Sequence, residues 1–254
     1  MPEKPIILTP LTKPITIRYS DERVAFSPET TAKIAAYWKQ RSQENPHLFN
    51  GDAFTLTSLK ETPETIEVEM AATNFANGLY AVNNDDYDEH IHRVFHSACL
   101  VITRDNKLVL GEMSKYTARA GAICCSGGSI DRGDIRGDTI DLDYSTTHEV
   151  REELGIDPLG AHAISYKPAY IKTGGPHDMA TVLYELITDL SSEEFAKNYA
   201  NFTAELIEKN EEIEFECLHY IDNTPEAVET FISEHKQQLD AYIPALLRAV
   251  SSRS

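Results

Sequence analysis

Basic residues are scarce in this chain: 23 Lys and Arg stand against 41 Asp and Glu, a formal net charge of -18 over 254 residues. Such a balance repels nucleic acid and anionic membrane, so neither is expected as a partner. A small anionic substrate stays open, because bound divalent cations reverse the local field. Long apolar runs are also missing, and nothing approaches the roughly 20 residues that a membrane helix needs. The opening MPEKPIILTPLTKP lacks the basic region, apolar stretch and small-residue cleavage site of a secretory signal. The expected location is cytoplasmic. Cysteine is sparse, at Cys99, Cys124, Cys125 and Cys217, and no CxxC pair occurs. Adjacent Cys124 and Cys125 are poorly spaced to bridge each other, which leaves reduced, mostly buried thiols. No internal repeat or low-complexity tract is present.

What remains is ordinary for a globular protein, 41% hydrophobic and 25% charged, and long enough for one large domain or a domain with an extension. PIILTP and PITIRY alternate apolar and β-branched types between prolines and predict short edge strands. SPETTAKIAAYWKQRSQ, from Ser27 to Gln43, predicts a helix capped by Ser27 with Pro28 in its first turn. A turn and a strand follow in NPHLFNGDAFTLTSLKE, then a second strand in TIEVEMA. The acidic NNDDYDEH at 83–90 reads as a loop and a boundary. From Arg93 on, VFHSACLVI and KLVLGEM predict a hairpin around RDN. AGAICCSGGSID predicts a strand broken at two glycines, and STTHEVREELGI a helix ended by Gly155. Strands are expected in HAISYKPAYI, MATVLYELIT and EIEFECLHYI. Ser191 and Glu194 make a capping box for a short helix, and Thr224 with Pro225 opens a helical C-terminus through about Arg248. Strands interleaved with three or more helices predict an α/β or α+β sandwich and not a bundle.

Within STTHEVREELGI, at about 100° per residue, Glu152 and Glu153 lie roughly 60° and 40° to either side of Glu149, so the three share one broad patch. Val150 and Leu154 form a separate stripe suited to a core. Close like charges need either screening water or a collecting cation. Hard ions such as Mg²⁺ favour carboxylate oxygens and keep phosphate and water as further ligands. On the helix alone, a solvated face and a metal site both fit. The preceding GGSIDRGD adds two glycines at a strand end, where backbone can approach a ligand, followed by Asp131 and Asp134.

Together these residues resemble the Nudix hydrolase signature, G-x5-E-x7-R-E-U-x-E-E-x-G-U with U a bulky aliphatic residue. Glu149, Val150, Glu152, Glu153, Gly155 and Ile156 fall on its second half. Gly128 takes the place of its first glycine, Asp134 that of its first glutamate, and Asp131 an earlier acidic position. Two features depart from it. The spacer from Asp134 to the helix is six residues longer, and His148 stands where the family has arginine. In the family that arginine helps orient the helix glutamates, and His148 in its place is expected to do so less firmly or with pH dependence.

The resemblance implies a Nudix α/β/α sandwich over residues 89–254, preceded by an α+β extension over 1–88 that helps build the substrate pocket. It implies Mg²⁺, or Mn²⁺ in its place, held by Glu149, Glu152 and Glu153 with the Gly127 carbonyl. Such an ion neutralises a diphosphate and polarises the phosphorus under attack. His148, Glu149, Glu152 and Glu153 then form the catalytic set. The base that takes the proton from water is Glu149, or Glu211 or Glu212 from a later loop, where an ordinary acidic strand edge is the plainer reading. Arg132 and Arg136 are candidates for phosphate oxygens, with salt pairing to nearby aspartates as the alternative.

YWKQRSQENPHLFNGDAFTL and TNFANGLYAVNN look like the opening of the branch that hydrolyses UDP-glucose and UDP-galactose. That likeness implies cleavage of a nucleotide sugar to a nucleoside monophosphate and a sugar phosphate. Phe49, Phe54, Phe75 and Tyr80 are candidates to stack a base or to be core. HRVF at 92–95 and ICCSGG resemble isopentenyl diphosphate isomerase, whose cysteine precedes a histidine; here Gly127 follows Ser126 and the hydrolase glutamates remain. Both differences favour hydrolysis, and Cys124 and Cys125 are expected to pack. A silent nucleotide-binding module is the third reading. His90, His92 and His96 are read as structural or solvated, and Lys172, His177 and Asp178 as weak pocket candidates.

Overall fold

The computed structural model describes residues 4–84 and 93–253, with the side chain of His177 left out. Its described residues form two sheets and six α-helices, an α/β architecture. The expected loop and boundary around 83–90, with His90 and His92, lie for the most part outside them.

Strands β1 (Lys4–Pro10) and β2 (Ile15–Arg23) follow the two proline-bounded alternating runs. Helix α1 (Pro28–Glu44) begins where expected, with the Ser27 hydroxyl accepting the Thr30 N–H at 3.1 Å. Then come β3 (Asp52–Glu61), β4 (Ile66–Asn74) and α2 (Phe75–Asn83), capped by the Asn74 side chain. After β5 (Phe95–Ile102), β6 (Lys107–Met113) and the short β7 (Ile123–Cys124), the chain makes a 3-10 turn at Arg132–Asp134. Next are β8 (Ile135–Arg136), β9 (Thr139–Ile140) and α3 (Leu142–Leu154). The remainder is β10 (Ala163–Gly175), β11 (Ala180–Thr188), α4 (Ser192–Glu208), β12 (Phe215–Asp222), α5 (Pro225–Glu234) and α6 (Ile243–Ser251).

The chain divides into two compact units that interleave in sequence, where the sequence reading cuts once at residue 88. The first comprises Met1–Ser97, Ser129–Ser145 and Ile171–Thr181. Its five-stranded sheet has the order β3-β4-β2-β9-β8, with β2 parallel to β4 and the other pairs antiparallel. Apolar residues at every second position, Ile66, Val68, Met70 and Ala72, line one face of β4 and are buried. Helices α1 and α2 pack together through Trp38 on Phe75 and Tyr37 on Tyr80, with ring centroids 6.3 and 5.6 Å apart. The long spacer before α3 therefore contains a small hairpin, β8-β9, that joins the sheet of the N-terminal segment through Arg18 and Thr139.

The second unit comprises Ala98–Gly128, Thr146–Tyr170 and Val182–Ser254. Its strands run β10-β11-β5-β6-β12, with β7 also on β6. Leu100, Leu108, Leu110, Val182, Leu186, Phe195 and Phe215 are fully buried, as is Val150 of α3. The expected short helix after Ser191 is the 17-residue α4, and the capping box is present in both directions. The single C-terminal helix expected through Arg248 is instead two. Between α5 and α6, the segment around 238–240 pairs with Ile123: the Ile123 N–H donates to the Gln238 carbonyl and the Asp240 N–H to the Ile123 carbonyl.

Candidate functional site

The site builds from a bend and a helix within the second unit. After β7, the Cys99 N–H donates to the Ser126 carbonyl at 2.7 Å, which holds the strand's continuation against β5. At Gly127 the backbone turns through φ 151°, a conformation that favours glycine. The freed Gly127 N–H points at α3 and donates to the Glu153 carboxylate at 2.9 Å. Gly128 meets the helix differently: a Cβ there would lie 2.0 Å from Oε1 of Glu149. Each glycine thus serves one glutamate, and the two glutamates are one helical turn apart.

Helix α3 is fixed at both ends. The Asp141 carboxylate accepts the Tyr144 N–H at 2.9 Å, capping the first turn. Gly155 takes a left-handed φ of 65°, where a Cβ would come within 2.4 Å of the Phe202 ring. Val150 and Leu154 are buried on the core stripe. These anchors leave the 149–153 row facing the Gly127–Gly128 bend. The 148–152 row is exposed: His148 Nε2 lies 3.5 Å from Glu152 Oε1, and the Glu152 side chain is 63% exposed. The three glutamates therefore differ in environment, since Glu153 is only 7% exposed.

Burial raises the Glu153 pKa well above the ordinary carboxylate range, and repulsion from Glu149 adds to it; the Gly127 N–H opposes the shift in part. Glu214, half-buried just before β12, also raises it. Glu214 is itself raised by burial and by Glu212. The later acid that joins the cluster is thus Glu214, while Glu211 and Glu212 are exposed. In NEEIEFE the alternation that makes Phe215 buried gave no hint that the acid beside it would be held partly inside. With Glu153 buried beside the half-buried Glu149 and Glu214, such carboxylates keep a proton or collect a cation, and an all-oxygen donor set of this kind suits a hard divalent ion.

The remaining candidates have other partners. Asp131 and Asp134 are in the first unit, where each side chain accepts an N–H of the same 3-10 turn, from Gly133 and Asp131 respectively. Arg132 is paired with Asp21 at 2.7 Å and Asp52 at 2.9 Å, aspartates of the N-terminal segment and not its sequence neighbours. Arg136 donates to the Gly133 and Ile135 carbonyls and lies over the Tyr144 ring at 3.6 Å. Phe54 and Tyr80 are core, and Phe49 is 82% exposed. Lys172 is buried, donates to the Met179 carbonyl, and is pushed down to about 8 by desolvation. Asp178 is paired with Lys4 and Arg93, and His96 Nε2 lies 3.2 Å from the Thr181 hydroxyl. Burial pushes the Cys124 thiol up to about 12 and Cys125 well above its usual value, which disfavours either as a nucleophile. Among the described residues no helix is long and apolar enough to cross a membrane.

No family model matches the chain, and no curated protein matches it. Among solved structures it is similar to the Deinococcus radiodurans protein DR0079, at 16% identity and a TM-score of 0.42, over 62% of this chain and 83% of that one. It is also similar to a MutT protein from Methanosarcina mazei Go1, at 12% identity and a TM-score of 0.37, over 63% and 94% of the two chains. A Nudix-family hydrolase from Clostridium perfringens is similar at 13% identity and a TM-score of 0.34, over 64% and 99%. Likenesses this distant do not assign the chain to a family.

Proposed function

We propose that the chain is a Mg²⁺-dependent pyrophosphohydrolase of the kind its Nudix resemblance implies. Its substrate is a nucleoside diphosphate linked to another moiety, nucleotide sugars first, cleaved to a nucleoside monophosphate and a sugar phosphate. The observation that carries this reading is the seating of Glu149 and Glu153 against Gly128 and Gly127. A helix whose glutamates were only a solvated face would not aim two of them at a glycine bend and bury one at 7% exposure.

Glu149 and Glu153, with Glu152 and the Gly127 carbonyl, are the groups that would hold Mg²⁺ or Mn²⁺. A bound ion of this class offsets diphosphate charge and makes the phosphorus a better electrophile. The Gly127 N–H holds the Glu153 carboxylate in one orientation, and Gly128 keeps space for that of Glu149. Glu214 is the proposed base: its raised pKa strengthens it as an acceptor for the proton that leaves the attacking water. His148 holds Glu152 across one turn in the role the family gives to arginine.

The test is nucleoside monophosphate formation from a panel of nucleotide sugars with Mg²⁺, comparing the unaltered protein with Glu153→Gln. Turnover abolished by the substitution is the expected result. Binding without turnover in both proteins identifies a nucleotide-sensing module, and double-bond migration in a prenyl diphosphate identifies an isomerase. Either outcome overturns the proposal.

A further inference from the structure

A second group of metal-ligating side chains lies on the sheet of the second unit. Cys217 and His219 are two residues apart on β12, so they share a face, and Glu112 on β6 is the registered partner of Cys217. Their donor atoms all fall within 4.8 Å of one another. Glu112 Oε2 is 3.3 Å from His219 Nε2 and 3.6 Å from Cys217 Sγ, and that sulfur is 4.0 Å from the imidazole nitrogen.

We propose that Glu112, Cys217 and His219 form a three-ligand Zn²⁺ site. The donor set matches the ion: thiolate and imidazole suit a borderline-soft metal, and the carboxylate supplies a third, anionic ligand. The spacing matches as well. Tetrahedral angles at ordinary bond lengths set the donors about 3.3 Å apart for oxygen and nitrogen, ~3.5 Å for oxygen and sulfur, and ~3.6 Å for nitrogen and sulfur. The first two separations are already met to about 0.1 Å, and the third needs a closure of roughly 0.4 Å, within reach of a side-chain rotation. Cys217 is exposed, so an ion has access, and three protein ligands leave a fourth position for water. Binding replaces the Cys217 thiol proton, which goes to solvent as the Zn–S bond forms. The His219 ring is steadied from outside the trio by Phe231 and His235, with ring centroids at 5.4 and 5.1 Å. The site ties β6 to β12 at the irregularity between Phe215 and Cys217, directly after Glu214. It is independent of the carboxylate cluster on α3 and does not rest on the hydrolase reading.

The experiment is a Co²⁺ titration of the full chain followed by its absorption spectrum. The expected result is thiolate-to-cobalt charge transfer in the near ultraviolet, saturating at one ion and displaced by one equivalent of Zn²⁺. Cys217→Ser abolishes the band. His219→Gln and Glu112→Gln weaken binding at least about tenfold, since even outer partners of a metal ligand carry that much. Glu153→Gln leaves the band intact, which separates this site from the proposed catalytic one. In the unaltered protein, Zn²⁺ also slows iodoacetamide labelling of Cys217, read by peptide mass. Absence of the charge-transfer band, its persistence in Cys217→Ser, or labelling of Cys217 that Zn²⁺ leaves unchanged overturns the proposal.

Discussion

Glycine 128 and glutamate 149 test each other at the scale of single residues. A Cβ at position 128 would meet the end of a flexible carboxylate and not backbone, so Gly128→Ala is expected to fold while displacing Glu149. Activity should then fall about 10²-fold, the cost of misplacing a catalytic group by an ångström or so. Folding stability should change by under about 1 kcal/mol. Measuring kcat beside the melting temperature separates the two, and an unchanged kcat would detach Glu149 from the chemistry. His148 gives a second residue-scale prediction: His148→Ala removes the contact at 3.5 Å with Glu152 and should lower kcat while leaving the melting temperature nearly unchanged, because the side chain is exposed. An unchanged kcat would remove His148 from any orienting role.

Much of this was legible in the sequence because it is local. The spacing of Glu149, Glu153 and Gly155 fixes their places on a helix, and GG after a strand marks a bend. Glu152 is the exception: it lies roughly 60° from Glu149 on the side away from Glu153, and helix spacing alone does not say which side the Gly127–Gly128 bend covers. Glu214 is not legible in NEEIEFE for a related reason, since burial of an acid depends on what packs above it. Arg132 forms the salt pairing with aspartates that the sequence allows, but its partners Asp21 and Asp52 lie at least 80 residues away, beyond the reach of local reasoning.

Elements show the same division between local and non-local causes. Capped helices were readable where the cap is a short-range motif, as at Ser27 and Ser191. Helix α2 was not, because TNFANGLYAVNN carries helix-neutral asparagines and a glycine, and its burial comes from Trp38 and Tyr37 of α1. Strands β8 and β9 have two residues each, too few for alternation to register. The break between α5 and α6 did have a signal in Pro244, which sits in the first turn of α6 and cannot continue a preceding helix. Helix α3 itself offers the element-scale prediction. Gly155→Ala combines a left-handed backbone with contact against Phe202, together costing about 2–4 kcal/mol. A drop of several degrees in melting temperature is expected, and no drop would mean that the helix end is not fixed as described.

For the whole molecule, an excess of 18 negative charges makes gathered carboxylates a stability problem unless a proton or a cation offsets them. Glu153 holds its proton more tightly folded than unfolded, so the folded state binds more protons between the ordinary carboxylate range and the raised value. Stability without divalent ions should therefore fall as pH rises through that window. Glu153→Gln removes this loss: its melting temperature should exceed that of the unaltered protein at pH 8, and the gap should close toward pH 5. A gap that is absent at pH 8 would show that the carboxylate is not desolvated in solution. The fold class and the placement of Glu149 and Glu153 on one helix are therefore readable in outline from one chain, while the surroundings of that helix are not, because they come from side chains scattered through the sequence.

The most direct measurement is hydrolysis of a nucleotide sugar with Mg²⁺ by the unaltered protein, Glu149→Gln and Glu153→Gln, each checked for folding by its melting curve. Metal-dependent formation of a nucleoside monophosphate, lost in both folded variants, is the predicted result. Equal turnover in all three, or none in any across the panel, would contradict the assignment of these carboxylates to diphosphate cleavage.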